Sequence, residues 1–430
     1  MESPQRRLGV PSASALVIAN MIGAGVFTTS GFALGDLGSP SLVLLAWLVG
    51  GVLALCGALS YGALARRFPE SGGEYLFLSR TVHPLAGFLA GWVSLLAGFT
   101  APVAAAALGL QAYISASFPL AIRPEWVGTA AIVAAGLMHG LRLRQGVLLQ
   151  NAAVTIKVIA IAAFICLGAL RVQPSAVSAA TTDFQLGAFA VTLVWVSFSY
   201  SGWNAAIYVA GEVRDPERNL PRSLLLATVT VMAIYVTLNA VLVYAAPVEQ
   251  LAGQAEIGAI AARALGGQVL ERALSAVVAL GLFTSLSAMV MAGPRVYEKM
   301  AQDGLFPRIF QHRGDVPAAA VALQTGCALV VLWVSGLVEL LGYIGFTLGL
   351  SAACTVGGLI ALRLREGPQR LPIPGFPWVP GLFIAATLGT TFFMVQREPL
   401  QAGLGLLTAA TGLPVYAWLR RRSPAPGPPA

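Results

Sequence analysis

The sequence predicts an all-α integral membrane protein with about twelve transmembrane helices. Of its 430 residues, 57% are hydrophobic and only 10% are charged, whereas a soluble domain carries roughly 25% charged residues. Apolar stretches of about 20 residues, the length that spans a bilayer, recur from end to end, and short loops between them hold nearly every charge. We therefore expect no soluble domain.

Proline, glycine and charged residues divide this apolar sequence into its predicted spans. The spans cover residues 10–37, 40–66, 84–118, 123–141, 147–170, 185–211, 222–246, 268–300, 316–336, 337–363, 376–396 and 400–420. If they alternate in direction, 20 lysines and arginines fall on the side of the N-terminus and five on the other, and Lys157 lies within a span. Cytoplasmic loops are enriched in these residues, so both termini are predicted to face the cytoplasm from an inner or plasma membrane.

The net charge of +8 is explained by this topology. Its basic residues are scattered over many short loops, whereas a nucleic-acid-binding protein concentrates them on one face. We therefore expect the lipid bilayer, and no nucleic acid, to be the partner of these charges.

Two of the spans carry clusters of residues that weaken a helix. The first holds the run from Asn20 to Gly31, with glycines at 23 and 25, and the sixth holds the run from Phe198 to Asn204. Such glycines serve either for close helix packing or for leaving helical geometry. Interrupted helices five spans apart, at corresponding positions of two five-helix halves, indicate a midplane binding site in an inverted-repeat transporter.

This arrangement predicts the organisation of the whole chain. Residues 10–170 and 185–363 form the first and second inverted repeats, and residues 376–420 form two additional helices. Residues 1–9 and the Pro-rich residues 421–430 are predicted to be cytoplasmic tails.

An interrupted helix leaves free amides at the start of one half and free carbonyls at the end of the other. This suits a ligand that carries both a carboxylate and an ammonium group, such as an amino acid. We expect the amides around Gly25 to receive the carboxylate, carbonyls near Ala19, Ile22, Phe198 and Ser201 to receive the amine, and Phe198 and Trp203 to form a gate and a pocket wall. The predicted substrate-binding residues are Ala19, Ile22, Gly23, Ala24, Gly25, Val26, Phe198, Ser199, Ser201, Gly202, Trp203 and Asn204.

Lys157 lies near the middle of the fifth span, and that span contains no acidic residue to pair with it. A charge there costs about 3 kcal/mol on insertion scales, and its central position argues against snorkelling to an interface. Burial disfavours the charged form of a lysine, so Lys157 is a candidate for exchanging a proton or for supplying a fixed positive charge. Ser285 and Ser287 on the eighth span are its predicted partners.

The sequence contains no pattern typical of a metal site or of a catalytic nucleophile. The four cysteines are not at metal-ligand spacing, the three histidines form no zinc set, and no nucleophile elbow occurs. We therefore expect no metal, no cofactor and no enzymatic activity, and no partner subunit is evident. A membrane-embedded enzyme or channel would need a polar catalytic cluster or a continuous pore lining.

Five stretches resemble motifs of the amino acid-polyamine-organocation (APC) superfamily, in particular its bacterial L-amino-acid-transporter-like members. They are similar to GSGIF, FPxSGGxY, FxxxGWN, RxxxxMAxDGxxP and PxRxPGxP, and they lie at Gly23–Phe27, Arg67–Tyr75, Phe198–Asn204, Arg295–Pro307 and Leu371–Pro377. Their order and spacing extend the resemblance over essentially the whole chain.

The resemblance implies the leucine-transporter fold, with two inverted five-helix repeats, discontinuous helices 1 and 6, and two added helices. It also implies alternating access, and a Lys157 that replaces the sodium site as in sodium-independent members. Coupling to protons or to exchange of one amino acid for another stays open. The inferred pocket holds no acidic residue for a cationic side chain, which favours neutral amino acids over cationic amino acids or polyamines.

Overall fold

The computed structural model describes residues 8–118, 121–140, 146–172, 184–311 and 318–422. Residues 1–7 and 423–430 of the predicted tails lie outside this part. The α-helices within it are α1 (Val10–Met21), α2 (Ala24–Leu37), α3 (Pro40–Arg67), α4 (Gly73–Thr81), α5 (Pro84–Val93), α6 (Ala101–Ser117), α7 (Pro124–Gly140), α8 (Gly146–Arg171), α9 (Leu186–Ser199), α10 (Pro216–Tyr244), α11 (Val248–Leu251), α12 (Ile257–Gln302), α13 (Ala318–Val334), α14 (Leu337–Glu366), α15 (Trp378–Arg397) and α16 (Pro399–Arg422).

Three short segments are helical with a different hydrogen-bonding pattern. A π-helix, Ser94–Thr100, joins α5 to α6, and Ala205–Glu212 and Arg308–Phe310 are 3-10 helices. Among the described residues there is no β-strand, and the single isolated bridge joins Leu8 to Val213. The architecture is therefore all-helical, as the sequence predicts.

Seven helical stretches of the described chain are long and apolar enough to cross a membrane. They are α3, α5 continued through the π-helix into α6, α10, α12, α14, α15 and α16. The pair α1 and α2 is bent by 41° at a short break and adds an eighth if the two are one span. The helices α9 and α13 are apolar but shorter. This architecture fits an integral membrane protein.

Local sequence explains how the first long helices begin and end. Gly38 ends α2 in the left-handed conformation, with φ 63°, and its amide donates to Leu34, a common helix ending for which glycine is suited. Pro40 occupies the first turn of α3, where its missing N–H removes no helical hydrogen bond. Only Gly38 and Ser39 thus separate the end of α2 from the start of α3.

The structure differs from the predicted spans at three places. The stretch 67–83, predicted as a loop, contains α4, because this helix is too short for a hydropathy reading to detect. The helix α10 begins at Pro216 rather than at residue 222, since Pro221 is accommodated inside it next to Gly62, where a Cβ would lie 3.1 Å from Pro221 Cβ. The helix α12 begins at Ile257 rather than at residue 268, because the chain is helical both before and after a break at Gly266 and Gly267.

That break in α12 lies at two consecutive glycines. Gly266 and Gly267 have non-helical backbone angles, and Gly267 has φ 70°, which glycine adopts readily. The side chain of Arg263 bridges the break to Glu271, with Nε to Oε2 at 2.6 Å.

The long helices pack so that the two interrupted spans lie at the centre. The helix α3 packs along α10, α6 packs along α12, and α2 and α9 contact each other. Most of the buried apolar side chains form one core cluster that includes residues of all six helices. The residues at both interruptions, such as Ile22 and Ser199, are therefore buried inside the helical bundle.

Candidate functional site

The first span is interrupted at Ile22 and Gly23. Gly23 has extended backbone, with φ −123° and ψ −152°, and its amide donates to the Met21 carbonyl at 2.8 Å. Helix ends leave carbonyls without helical partners, and here buried side chains supply donors. Lys157 Nζ donates to the Ile22 carbonyl at 2.6 Å, and the Tyr235 hydroxyl donates to the Met21 carbonyl.

The sixth span is interrupted after Ser199, where α9 ends. A turn over residues 200–204 leads into the 3-10 helix 205–212. Gly202 in this turn has φ 98°, and a Cβ there would lie 3.0 Å from the Asn20 carbonyl carbon. Both the positive φ and this close approach to the first span require glycine.

The two interruptions meet. A Cβ on Gly25 would lie 2.5 Å from Ser199 Cα, so the start of α2 rests directly on the end of α9. Thr29 Oγ1 and Ser199 Oγ are 2.8 Å apart, and the Tyr235 hydroxyl, which has a single proton to donate, also lies 3.1 Å from the Ser199 carbonyl oxygen. The N-cap residue of α2 is Gly23, which has no side chain to cap the helix, so within the described part of the chain its first amides carry no side-chain cap beside the contact.

A cavity of about 670 Å³ begins at these interruptions. It reaches the protein surface at Ser12 and Arg295, which line it and are both exposed. Ser12 lies near the start of α1, so the cavity opens at the end of the bundle where the first span begins. A separate niche of about 20 Å³ lies between the two interruptions themselves.

The opposite end of the bundle is closed by the segment 248–265. The amide of Gly253 donates to the Gly31 carbonyl at 2.7 Å. The buried Tyr113 hydroxyl donates to the Phe27 carbonyl at 2.7 Å and accepts from the Gly258 amide at 3.0 Å. These bonds tie the segment to α2 and close the bundle at that end.

Ten of the twelve predicted substrate-binding residues line the cavity or the niche. They are Ala19, Gly23, Ala24, Gly25, Phe198, Ser199, Ser201, Gly202, Trp203 and Asn204. Ile22 and Val26 instead have fully buried side chains in the core. The Ile22 carbonyl, predicted to receive the amine of a ligand, holds Lys157 Nζ in this structure.

The predicted serine partners do not hold Lys157. Ser287 Oγ lies 2.8 Å from His139 Nε2, and Ser285 Oγ is buried without a hydrogen-bond partner among the described residues. Residues two apart on a helix point in different directions, so the two serines could not both face one lysine. Ser285 does lie at the first interruption, because a Cβ on Gly23 would be 2.9 Å from its Oγ.

Glu74 is a cavity residue that the sequence analysis missed. It is 8% exposed, lines the cavity and accepts hydrogen bonds from Asn204 Nδ2 at 2.7 Å, from the Tyr61 hydroxyl at 3.1 Å and from the Tyr208 hydroxyl. The prediction of a pocket wall without an acidic residue is therefore wrong. The signal that could have found it is the apolar run Tyr75–Leu78 directly after Glu74, which indicates a buried helix.

Trp203 forms part of the cavity wall near this carboxylate. Its ring meets the Tyr61 ring edge-on, with centroids 4.6 Å apart, and a Cβ on Gly57 would lie 2.8 Å from the indole. Glycine at 57 thus makes room for the indole beside the cavity.

Comparison with known proteins identifies the family. The sequence profile of the amino acid permease family matches residues 8–409. The chain is 28% identical to the large neutral amino acids transporter small subunit 2 of Rattus norvegicus, over 96% of this chain and 80% of that protein. It is 26% identical to the Asc-type amino acid transporter 1 of Mus musculus, over 96% and 81%, and 27% identical to the serine/threonine exchanger SteT of Bacillus subtilis, over 97% and 98%.

These similarities cover nearly the whole chain and confirm the predicted relationship to the APC superfamily. They also agree with the apolar helices in indicating a multi-pass membrane protein. The chain therefore belongs to the amino acid permease family and is an amino acid transporter, not an enzyme.

Proposed function

We propose that this permease carries neutral amino acids across the plasma membrane by alternating access, without sodium, coupled either to protons or to exchange of a second amino acid. The observation that carries this proposal is the contact between the two interruptions. The uncapped start of α2 and the carbonyl end of α9 face one niche lined by Gly25 and Ser199. Amides there suit the carboxylate of an amino acid, and carbonyls suit its ammonium.

Independence from sodium is supported by Lys157. Its ammonium group is fully buried and donates to a carbonyl of the first interruption. A sodium ion close to that carbonyl would be repelled by the ammonium charge, and this repulsion is strong away from water. The Ser285 hydroxyl lies next to Gly23 and has no hydrogen-bond partner among the described residues. We expect it to change its hydrogen bonding when Lys157 gains or loses a proton.

The proposed topology has twelve spans, two inverted repeats of five and both termini in the cytoplasm. Ion pairs between distant helix ends support it. Arg67 pairs with Glu366 at 3.0 Å, and the topology puts both on the cytoplasmic side. Asp36 pairs with Arg397 at 3.2 Å, and the topology puts both on the outer side.

Neutral substrates are supported by the relatives and by the cavity wall. Two relatives are named for large neutral amino acids and for serine and threonine. A cationic amino acid or a polyamine is the second candidate, because the Glu74 carboxylate lines the cavity. Three donors already occupy Glu74, which leaves it less available to a cationic side chain, so we favour neutral substrates.

The test is uptake of labelled neutral amino acids, arginine and putrescine into proteoliposomes of the purified chain. Sodium, an inward proton gradient and internal amino acid are varied separately. We expect saturable uptake of neutral amino acids that is unchanged by sodium and increased by a proton gradient or by internal amino acid. Uptake of arginine or putrescine alone would support the second candidate, and a sodium requirement or no uptake at all would contradict the proposal.

The same experiment tests whether the chain works by itself. No partner subunit is evident in the sequence, whereas the rat relative is named as a small subunit. Because the purified chain is the only protein in the vesicles, uptake there shows that it transports without a partner.

A further inference from the structure

We propose that Glu74 is a positioning residue of the transport cycle, which holds the segment 204–212 of the interrupted sixth span and so keeps the cavity open at the N-terminal end of the bundle. This inference rests on the proposed alternating access. It implies that α4, a helix of nine residues and too short to span a membrane, determines which end of the cavity is open.

Glu74 joins three separate parts of the chain through one carboxylate. Its donors are Tyr61 on α3, Asn204 in the turn of the sixth span and Tyr208 on the following 3-10 helix. No ion pair of Glu74 occurs among the described residues, so these neutral donors stabilise a buried carboxylate between them. Hydrogen bonds to an ionised acceptor are stronger than neutral ones, and leaving such a group without donors is costly.

The segment that Glu74 holds has little helical support of its own. Residues 205–212 form a 3-10 helix, whose hydrogen-bond geometry is poorer than that of an α-helix. Val209 inside it departs from helical angles, with φ −115° and ψ 23°. A second contact from the same region comes from Ser71, whose Oγ accepts from the Gly211 amide at 3.0 Å. The segment is thus held by α4 and the loop before it as far as Gly211, whereas its end at Glu212 is held by the Leu8 amide at 3.0 Å and by Arg295 at 3.3 Å.

The residue next to Glu74 holds the other wall of the cavity mouth. The Tyr75 hydroxyl donates to Asp303 Oδ2 at 2.6 Å, directly after the end of α12, and Lys299 Nζ donates to Asp303 Oδ1 at 2.9 Å. The helix α12 lines the same cavity through Ala292 and Arg295. Consecutive side chains of α4 therefore bind the sixth span and α12, and hold these two walls at a fixed separation.

The test is the accessibility of the cavity in the Glu74→Gln variant. A cysteine at Ala292, which lines the cavity, is introduced after replacement of the four native cysteines, and its alkylation by a water-soluble thiol reagent is timed in detergent without substrate. Gln keeps the size of Glu74 but removes the charge. We expect alkylation to slow about tenfold, because the segment is released and the open state loses its charge-assisted hydrogen bonds.

Glu70→Gln is the matched control, because Glu70 precedes the same helix but is exposed, with Arg80 at 3.8 Å as its ion-pair partner. It should leave the alkylation rate unchanged. Tyr208→Phe removes one donor and keeps the carboxylate, so it should slow alkylation in the same direction by a smaller factor. If Glu74→Gln does not fold, the alkylation rate of Tyr208→Phe tests the inference instead.

An unchanged or faster alkylation rate in folded Glu74→Gln, or in Tyr208→Phe if only that variant folds, would overturn the inference. Transport supplies a second readout, since a shifted open state should lower kcat for uptake more than it changes KM. Absence of all uptake by the unmodified protein would refute the proposed function, whereas alkylation needs no substrate and still reports on Glu74.

Discussion

The two interrupted spans differ in how their irregular backbone is held. In the first, only Ile22 and Gly23 leave helical geometry. The side-chain donors to the Ile22 and Met21 carbonyls are Lys157 and Tyr235, both fully buried in the core. In the sixth, the irregular stretch extends from residue 200 to residue 212, and its main side-chain anchor, Glu74, is part of the cavity wall.

This difference indicates that the two interruptions have different roles in transport. Segments with few buried contacts and accessible hydrogen bonds open at low free energy, whereas core segments open only near global unfolding. We therefore expect the first interruption to act as a fixed binding surface and the sixth to be the part that moves. Substitutions at the first should damage binding or stability, and substitutions at the sixth should change the balance between states.

Gly25→Val is expected to have the largest effect, because it separates the two interruptions. A Cβ at this position would lie 2.5 Å from Ser199 Cα and 2.6 Å from Ser199 Cβ, so the backbones must move apart. Overpacking of this kind costs about 1–3 kcal/mol, and this cost, borne by the substrate-binding contact between α2 and α9, weakens binding roughly 5- to 150-fold. Binding of a labelled neutral amino acid to the purified variant measures the loss.

The control for this substitution is Gly389→Val on α15, where a Cβ meets nothing within 4 Å. It should bind like the unmodified protein. Undiminished binding by Gly25→Val would show that the contact between α2 and α9 does not form the binding site.

The parts of this site that the sequence predicted are those with a local signal. Gly23 and Gly202 stand out because glycine inside a long apolar span weakens the helix, and both lie at the observed interruptions. Lys157 stands out because a charge inside an apolar span is costly. For these residues, the amino-acid composition of a short stretch of sequence is sufficient to predict a role in the site.

The parts that the sequence analysis missed depend on contacts between distant residues. Glu74 and Asn204 are 130 positions apart, and Tyr235 and Met21 are 214 apart, so no local pattern connects them. The helix α4 has nine residues, below the length at which an apolar stretch predicts a span. The partner of Lys157 was also missed, because the ligand is a backbone carbonyl that becomes available only when the helix is interrupted.

Lys157→Ala tests whether the first interruption acts as a fixed binding surface. The change leaves the Ile22 carbonyl without its donor, and an unpaired buried acceptor costs about 1–3 kcal/mol. We expect the protein to remain folded but uptake to fall roughly tenfold and to lose its dependence on pH. Proteoliposome uptake at several external pH values measures both quantities.

Ile159→Ala is the control on the same helix, because Ile159 is 64% exposed on the surface of α8. It should transport normally. An unchanged rate and pH profile for Lys157→Ala would remove Lys157 from the coupling mechanism.

Tyr235→Phe should lower stability more than it lowers uptake. Its hydroxyl has a single proton, shared between the Met21 and the Ser199 carbonyls, so its loss leaves these two buried acceptors at the interruptions with one donor fewer. The expected destabilisation is about 1–3 kcal/mol, seen as a lower midpoint of thermal unfolding in detergent. Tyr343→Phe, which removes a single hydrogen bond to Thr408 at 2.8 Å, should have a smaller effect, and an equal effect would contradict the central role of Tyr235.

Ser285→Ala is expected to have the smallest effect, and it separates a structural role from a functional one. Ser285 Oγ has no hydrogen-bond partner among the described residues, so its removal breaks no hydrogen bond there and should not lower the free energy of unfolding. If the hydroxyl serves the bound substrate or a changed state of Lys157, KM or the pH dependence of uptake will shift a few-fold while the unfolding midpoint stays constant. Ser287→Ala removes the contact with His139 and serves as the neighbouring comparison. A Ser285 variant with wild-type uptake would leave the first interruption with Lys157 and Tyr235 as its functional side chains.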